Sequence, residues 1–253
     1  MAKLPLRRAL WCGKNFILLD EVDSTNTYLK RGDFPDGTAV IALRQTAGKG
    51  RTGRVWTDAQ PGQALFLSVL FHSMKAEDMG FLPLLCGLAA ANTLGKGAAI
   101  KWPNDLLIGE KKVCGILCES RIIGSEISAV CGIGLNLSQT QEYFTENDLP
   151  HGTSLYLSCG EKRTVLQAAA MILDELEPML EQYRRDGFAP FIKEYTRRCI
   201  TVGRQVQVLR AGESLTAKAV GITPDGSLLC EKDGETFPVR AGEASVRGLY
   251  GYV

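Results

Sequence analysis

A stretch in which glycines alternate with basic side chains follows a strand-like run, and the chemistry it suggests is anion binding. It reads Gly48-Lys49-Gly50-Arg51-Thr52-Gly53-Arg54. Glycine lets the backbone approach an anion closely, and three cations can compensate carboxylate or phosphate charge. A solvated basic loop is the plainer alternative. The string is not a P-loop, because GxxxxGK[ST] is absent, and no helix signal follows it as a dinucleotide-binding fingerprint requires.

A second segment combines a cation, a large aromatic ring, a proline and a carboxylate at the end of a short strand. It reads Lys101-Trp102-Pro103-Asn104-Asp105. Core segments seldom need that mixture, although Trp102 could be core and Asp105 could cap a turn. Lys112 follows at the head of a strand, where a lone lysine is more often a solvated edge residue.

A third segment, Cys131-Gly132-Ile133-Gly134-Leu135-Asn136, places two glycines on one face of an apolar strand. Glycine inside a strand often means that a ligand or another backbone passes close by. Packing of the same face against a helix explains the pattern equally well.

Periodicity predicts the elements that position these segments. Apolar runs predict strands at 15–19, 38–44, 64–71, 112–123 and 126–137. Caps predict a helix after the Asp23-Ser24-Thr25-Asn26 segment and another that begins at the capping box of Thr164 and Gln167 and runs to Tyr183. Helical spacing of apolar residues predicts two more, at 76–95 and 188–198. The stretch 45–63, rich in glycine, lies between two strands, and such long inserts are usually functional or mobile.

The texture of the chain changes after Thr201 to short apolar runs separated by turns. These runs cover 205–209, 215–222, 227–230 and 236–239, with Pro224-Asp225-Gly226 and Lys232-Asp233-Gly234 between them. About fifty residues of this kind predict a small β-barrel.

The composition narrows the classes of function. The chain has 253 residues, of which 45% are hydrophobic and 23% charged, and its 29 basic and 28 acidic side chains give a net charge of +1. No global field therefore favours nucleic acid or an anionic membrane surface. Because no apolar stretch is long enough to span a bilayer and no signal peptide is recognisable, we predict a cytoplasmic protein without membrane attachment.

The eight cysteines do not have the spacing of a disulfide scaffold or a zinc site. Seven of them lie in apolar, core-like segments: Cys86, Cys114, Cys118, Cys131, Cys159, Cys199 and Cys230. There is no CxxC pair, and His72 and His151 are the only histidines. We therefore expect reduced core thiols and no structural zinc.

Taken in order, these segments resemble one family, the biotin protein ligases. GKGRTGR is similar to that family's loop of glycines and arginines, KWPND to its most recognisable string, and GIGLN to a later strand. Asp23-Ser24-Thr25-Asn26, Gly152-Thr153-Ser154-Leu155 and 242–248 extend the resemblance over roughly residues 15 to 250. It implies an α+β fold in two domains. Residues 1–200 are expected to form a catalytic mixed sheet with helices, like that of class II aminoacyl-tRNA synthetases, and residues 201–253 a small SH3-like β-barrel.

The resemblance also implies an activity, its cofactors and the residues that serve it. Biotin is adenylated with ATP and Mg²⁺, and biotinoyl-5′-AMP donates the acyl group to one lysine of a biotin carboxyl carrier protein. The implied biotin ligands are Ser24, Thr25, Asn26, Gln45, Lys49, Gly50, Arg51, Lys112 and Gly115. The implied nucleotide ligands are Arg51, Arg54, Trp56, Lys101, Asn104, Lys112, Gly132, Gly134, Asn136, Glu243 and Arg247.

Charge accounting suggests which residues carry the catalysis. Biotin's carboxylate is ionised at neutral pH and needs no general base, so the enzyme must align it with the α-phosphate and relieve the repulsion between two anions. Lys112, Arg51 and Lys49, together with Mg²⁺, are the groups assigned to that work. In the second step the acceptor amine, with a free pKa of about 10.4, must lose a proton. Asp105 is the candidate to orient or accept it and is also the candidate Mg²⁺ ligand.

Two departures from the family pattern qualify the resemblance. The family loop usually carries arginine where this chain has Lys49, and lysine lacks the bidentate fork of arginine, which predicts weaker retention of the adenylate. Only about a dozen residues precede the catalytic pattern. That length predicts a monofunctional ligase without the winged helix-turn-helix of ligase-repressors, and hence no DNA binding. Family members pair through the sheet that carries Gly132 and Gly134, which makes a homodimer a further expectation.

Two alternative functions stay open on sequence alone. Lipoate–protein ligase shares the general fold and the adenylate chemistry, but GKGRTGR together with KWPND is the biotin pattern. A nucleic-acid-binding regulator could use the basic loop as a phosphate clamp. The near-zero net charge argues against the regulator.

Overall fold

A seven-stranded mixed sheet forms the centre of the larger part of the molecule. The computed structural model describes residues 3–57, 59–123, 126–210, 213–241 and 245–248. The strands are β1 (Phe16–Val22), β2 (Ala39–Gln45), β3 (Ala64–Phe71), β4 (Ala98–Lys101), β5 (Asp105–Ile108), β6 (Lys111–Ile123) and β7 (Glu126–Asn136). Their order is β1-β2-β3-β7-β6-β5-β4. β1 and β2 are parallel, and the other neighbouring strands pair antiparallel.

Six helices accompany this sheet in the described part of the chain. They are α1 (Thr25–Arg31), α2 (Asp78–Leu94), α3 (Gln141–Glu146), α4 (Leu155–Cys159), α5 (Val165–Asp186) and α6 (Ala189–Arg198). The predicted capping box begins α5, since Thr164 and Gln167 exchange hydrogen bonds between side chain and backbone. Ser24 caps α1 by accepting from the Thr27 amide. The short elements β5, α3 and α4 were not predicted, because each is too brief to establish a period.

Alternate residues of the central strands face two different environments. On one face, side chains such as Leu67, Ile133 and Leu135 join a large core beneath α2 and α5. On the other face, Leu70 and Val130 pack with Leu29 of α1 in a smaller cluster. Because the period of a strand is two, a sheet between two layers can present one kind of surface to each.

The C-terminal strands form a second, antiparallel sheet. They are β8 (Gln205–Arg210), β9 (Glu213–Ile222), β10 (Leu228–Lys232), β11 (Glu235–Val239) and β12 (Ser245–Gly248), in the order β11-β10-β9-β8-β12. This arrangement confirms the expected fold class, a mixed catalytic sheet with helices followed by a small SH3-like β-unit. The boundary at residue 200 stays a prediction, because side chains of this sheet, such as Val206 and Leu228, belong to the same core cluster as the larger one.

Two acidic residues of α5 hold the N-terminal segment through its backbone. Asp174 accepts hydrogen bonds from the amides of residues 7–9, and Glu177 accepts from those of residues 10–12. Burial raises the pKa of Asp174, but the three backbone donors outweigh it and leave that pKa below its ordinary value. Both acidic side chains lie on the face of α5 that was predicted to be apolar. The helical period of the apolar residues did not predict acidic residues there.

The eight cysteines are free in the structure, in agreement with the expected thiols. The expectation of a core position was wrong for Cys159, which is exposed at the end of α4. It was only partly right for Cys118, which is half-buried. In the described ranges, no helix combines the length and apolar character needed to cross a membrane.

Candidate active site

The glycine and basic-residue stretch folds back on itself as a narrow loop over the sheet. Lys49 and Val55 form an antiparallel bridge, and between them Arg51–Gly53 makes one 3₁₀ turn. The Gly50 amide donates to the Arg54 carbonyl at 2.7 Å. The loop therefore has a defined shape that presents basic side chains to the space beneath it.

That space is a cavity of about 170 Å³ between the loop and strands β6 and β7. Sixteen of the predicted site residues line it: Ser24, Thr25, Asn26, Gln45, Lys49, Gly50, Arg51, Arg54, Trp56, Lys101, Asn104, Asp105, Lys112, Gly115, Gly132 and Gly134. We call it the first cavity. Its described lining contains five basic side chains and one carboxylate, that of Asp105, so the cavity suits an anionic ligand.

One end of the first cavity is lined by buried polar side chains of α1 and β2, to which Ser68 of β3 is hydrogen-bonded. Gln45 Oε1 accepts from the Thr25 amide at 2.7 Å and from the Thr25 hydroxyl at 3.0 Å. Ser68 Oγ lies 2.7 Å from Thr25 Oγ1 and 2.6 Å from Asn26 Oδ1. Ser68 was missed from sequence, because one serine in the apolar run of β3 gave no signal until the strand's two faces were known.

Asn26 is held from its other side by a pair of charges that sequence reasoning also missed. Its Nδ2 donates to the Leu117 carbonyl at 3.1 Å and to Glu119 Oε2 at 2.8 Å, while Glu119 Oε1 binds Lys30 Nζ at 2.5 Å. Burial raises the pKa of Glu119, but the hydrogen bonds from Lys30 and Asn26 outweigh it and lower that pKa below 4.5. Glu119 is therefore a carboxylate that fixes the Asn26 amide.

Glycines 115, 132 and 134 leave room for side chains that lie against this face of the sheet. A Cβ atom on Gly132 would collide with the Asn26 amide, and one on Gly115 or Gly134 would meet the Trp56 ring at 2.5 or 2.7 Å. Packing against a helix, one of the two explanations offered by the sequence, therefore applies to Gly132 alone. Gly132 makes way for a helix side chain, whereas Gly115 and Gly134 receive an aromatic ring from the basic loop.

A chain of polar contacts crosses the first cavity at its other end. Lys112 Nζ lies 2.8 Å from Asp105 Oδ1, and Asn104 Nδ2 donates to the same oxygen at 3.2 Å. Asn104 Oδ1 accepts from Arg51 Nη1 at 2.8 Å, and Arg51 Nη2 donates to the Ala241 carbonyl at 2.6 Å. Burial lowers the pKa of Arg51, partly offset by Asp105, but a guanidinium stays charged at neutral pH. The segments GKGRTGR and KWPND therefore meet in space.

Lys112 is not the solvated edge residue that its position in the sequence favoured. Its amide donates to the His151 carbonyl at 2.7 Å, and its carbonyl accepts from the Thr153 amide at 2.9 Å. Its Nζ also lies 5.2 Å from the centre of the Trp56 ring. The backbone and side chain of this lysine are thus fixed by three separate parts of the chain.

A second cavity, of about 260 Å³, lies on the far side of Trp56 and Lys112. Its lining is Arg54, Val55, Trp56, Thr57, Lys112, Asn136, Tyr143, Phe144, Asp148, Leu149, Pro150, His151 and Gly152. Four of these also line the first cavity: Arg54, Val55, Trp56 and Lys112. The predicted residues Arg54, Trp56, Lys112 and Asn136 line it, whereas Tyr143 and Phe144 of α3 were missed, because six residues of helix are too few to recognise by period.

Some predicted site residues have a structural role or lie outside the first cavity. Trp102 is core, as the alternative explanation held, and its indole donates to the Gly226 carbonyl at 3.1 Å, while its neighbours in KWPND line the first cavity. Asp105 does not cap a turn, since it begins β5. Asn136 lines the second cavity and donates to the Thr153 carbonyl at 2.9 Å. Glu243 and the side chain of Arg247 lie outside the described residues.

Comparison with protein families gives two matches that cover both sheets. Residues 18–136 match the Biotin/lipoate A/B protein ligase family. Residues 201–247 match the Biotin protein ligase C terminal domain. The first match contains both the basic loop and the strands beneath it.

Individual relatives extend this similarity along the chain. The bifunctional ligase/repressor BirA of Escherichia coli is 31% identical over an alignment 243 residues long, which covers 93% of this chain and 75% of BirA. The biotin–[acetyl-CoA-carboxylase] ligase of Mycobacterium tuberculosis is 32% identical over 82% of this chain and 78% of its own length. The solved biotin protein ligase of Aquifex aeolicus, in complex with biotin and ATP, superposes with a TM-score of 0.80 at 30% identity, covering 93% of this chain and 99% of that one. The chain belongs to the biotin protein ligase family.

Proposed function

We propose that this enzyme activates biotin with ATP to biotinoyl-5′-AMP and transfers the acyl group to a lysine of a biotin carboxyl carrier protein. The observation that carries the proposal is the position of Lys112, which lines two adjoining cavities at once. A carboxylate in one cavity and a nucleotide in the other would meet at this ammonium group. The similar Aquifex aeolicus structure holds both biotin and ATP.

The first cavity offers biotin two chemically different ends. Thr25, Asn26 and Gln45 supply buried polar atoms for the ureido ring, and Ser68 holds Thr25 and Asn26 by hydrogen bonds. The opposite end, with Lys112 and Arg51, supplies positive charge for the carboxylate. Buried polar partners give selectivity, because a ligand that lacks the matching groups leaves them unpaired.

The second cavity fits the adenine base. Tyr143, Phe144 and Trp56 give it aromatic walls, and Arg54 and Lys112 lie where it joins the first cavity. An aromatic base can stack on such walls while its phosphates remain beside the cations. The predicted nucleotide ligands Arg54, Trp56 and Asn136 all line this space.

The first half-reaction then depends on alignment and charge. The biotin carboxylate attacks the α-phosphate and displaces pyrophosphate, so two anions must approach each other. Lys112 and Arg51 reduce this repulsion, and the low exposure of the site strengthens their effect. Asp105 is the one carboxylate in the described lining of the first cavity and is the residue that would hold a Mg²⁺. When bound, Mg²⁺ supplies further neutralisation of phosphate charge.

The second half-reaction requires a neutral amine. The amine of the acceptor lysine attacks the mixed anhydride only after the amine loses a proton. Asp105 is the carboxylate that would orient this amine or accept its proton. Asp105 is paired with Lys112 at 2.8 Å before any ligand is present. We infer that a bound carboxylate draws Lys112 toward itself and thereby releases Asp105 for this role.

Three further expectations accompany the proposal. The partner is a carrier protein or domain of a biotin-dependent carboxylase, as the name of the Mycobacterium tuberculosis relative suggests. We expect the reaction to take place in the cytoplasm. A homodimer through the central sheet stays a prediction, and sedimentation with and without biotin and ATP is the measurement that tests it.

Substitution of Lys112 tests the proposal most directly. Lys112→Ala should lower the rate of biotinoyl-AMP formation by roughly 10²–10³-fold, the usual effect of removing one preorganised charged donor. The measurement is transfer of labelled biotin to a purified carrier domain in the presence of ATP and Mg²⁺. Lys111→Ala is the matched control, because this exposed neighbour lies outside both cavities and should leave the rate unchanged.

A parallel assay with labelled lipoate separates the two ligase chemistries. The Mycobacterium tuberculosis relative and the Aquifex aeolicus structure are named as biotin ligases, so we expect labelling with biotin and little with lipoate. No labelling of the carrier by the unsubstituted enzyme, or a preference for lipoate, would overturn the proposal.

A further inference from the structure

Three sulfur atoms from distant parts of the chain meet on the helix-covered face of the central sheet. Cys86 comes from α2, whereas Cys118 and Cys131 are directly opposite each other on β6 and β7. Their Sγ atoms all lie within 4.8 Å of one another, and those of Cys118 and Cys131 are 2.6 Å apart. We call these residues the thiol triad.

The triad has the composition of a site for a soft cation. Thiolate sulfur selects Cu(I), zinc or iron–sulfur clusters over hard ions such as Mg²⁺. Structural zinc is almost always four-coordinate. In the part of the chain that the structure describes, no histidine, carboxylate or further cysteine joins the three sulfurs. Three ligands suit Cu(I), a d¹⁰ ion that is stable with two or three sulfur neighbours.

Two of the three thiols, Cys86 and Cys131, are fully buried, so bulk water is kept from the sulfurs. Thiolate is the form that binds metal, so the sulfurs that coordinate Cu(I) release their protons to solvent as the ion enters.

The spacing of the three sulfurs is compatible with an ion. Three sulfurs around an ion at about 2.3 Å are about 4.0 Å apart, so the Cys118–Cys131 contact must open by about 1.4 Å, within the range of a side-chain rotation.

We propose that Cys86, Cys118 and Cys131 bind one Cu(I) ion in a trigonal sulfur site behind the active-site face of the sheet. This inference is independent of the proposed function. It adds a metal site where the scattered positions 86, 118 and 131 gave the sequence no recognisable ligand spacing.

The test is an anaerobic titration of the fully reduced full-length protein with Cu(I) against a competing chelator. It uses a Cys159→Ser background, because Cys159 is exposed and would bind copper adventitiously. We expect one tightly held Cu(I) per chain, with three sulfur neighbours by X-ray absorption. Cys86→Ala should weaken binding by more than the 10- to 100-fold that loss of an outer-shell partner causes.

Cys230→Ala is the matched control, since Cys230 is equally buried but lies in the small sheet. It should bind Cu(I) as the background protein does. Cu(I) should also raise the unfolding midpoint of the background protein and of Cys230→Ala, but not that of Cys86→Ala.

Several results would overturn the proposal. They are no uptake by the reduced protein, equal affinity in Cys86→Ala, or an X-ray absorption spectrum without three sulfur neighbours. The absorption measurement needs no variant, so the proposal stays testable if Cys86→Ala fails to fold.

Discussion

The two faces of strands β6 and β7 are built from alternate residues of the same chain segments, yet they differ in almost every property. One face carries Gly115, Gly132 and Gly134 and receives Asn26 and Trp56. The other face carries Cys114, Ile116, Cys131, Ile133 and Leu135, all buried in the large core beneath the helices. The site therefore depends on glycines that leave space for other groups, whereas the core depends on apolar side chains that fill space.

Adjacent residues of these strands therefore serve different purposes. One residue contributes to the stability of the core, and the next shapes the ligand cavity. A change on the helix-covered face removes packing from a core of close-packed side chains. A change on the glycine face instead displaces a residue that shapes the first cavity. The predictions below test how cleanly the two effects separate.

The largest expected effect lies on the helix-covered face. Leu135→Ala should lower the free energy of unfolding by about 2–5 kcal/mol, because it removes a fully buried side chain and leaves a cavity. Urea unfolding measures this loss. The KM for biotin should stay unchanged in the folded fraction. If KM rose as steeply as stability fell, the two faces would not be separable.

Gly132→Ala tests the opposite face, three residues before Leu135 on the same strand. Its new methyl group would displace the Asn26 amide, which Ser68, Leu117 and Glu119 hold in place. Overpacking costs about 1–3 kcal/mol. We expect biotin affinity to fall roughly 10- to 100-fold by calorimetry, since 1.4 kcal/mol corresponds to a factor of ten.

Gly221→Ala is the control for that substitution. Gly221 also lies in a strand, but a Cβ there would meet nothing within 4 Å. Biotin affinity should be unaffected. Equal weakening by both variants would mean that loss of any strand glycine, and not displacement of Asn26, explains the result.

Glu119→Gln probes a charge on the glycine face and predicts a dependence on pH. A carboxylate whose pKa is lowered by folding stabilises the protein above its unfolded pKa, and this stabilisation is lost as pH falls through the folded pKa. At neutral pH we expect the variant to be less stable by about 1 kcal/mol, the usual worth of a hydrogen bond. Unfolding series should show this difference shrinking as pH falls below the ordinary glutamate pKa of about 4.3.

The control here is Glu126→Gln, at the exposed start of β7. Its stability difference from the unsubstituted protein should stay near zero across the same pH series. A constant difference for Glu119→Gln would show that the carboxylate charge does not act through Lys30 and Asn26.

The smallest expected effect concerns the loop above the glycine face. Lys49 contacts Thr27 Oγ1 at 3.3 Å through a single Nζ, whereas arginine presents a planar fork that binds phosphate bidentately. Lys49→Arg should slow release of biotinoyl-AMP several-fold, by up to about 1 kcal/mol. Stopped-flow release of labelled adenylate measures it. Faster release from Lys49→Arg than from the unsubstituted enzyme would show that lysine is the better ligand here.

Most of the fold followed from local patterns. The limits of β3 were predicted to the residue, and α5 began at its predicted capping box, because long apolar periods and caps are local signals. The short elements β5, α3 and α4 were missed. A helix such as α3, with six residues, is stabilised by the surfaces it joins and not by a period of its own.

The site divides in the same way. Lys112, Asp105, Arg51 and the three glycines were nominated from their types and their resemblance to a family, and they line one cavity. Ser68 and Glu119 were missed, because the role of each depends on a partner more than forty residues away.

The sequence by itself determined the fold class, the basic loop, the KWPND segment and the family, because each is a pattern of neighbouring residues. Only the tertiary structure decided that Lys112 joins two cavities, that the strand glycines accommodate Asn26 and Trp56, and that three scattered cysteines meet behind the sheet. The physical reason is that strand pairing and helix packing bring together residues whose separation along the chain carries no signal. A side chain's chemistry is local, but its partners are set by topology.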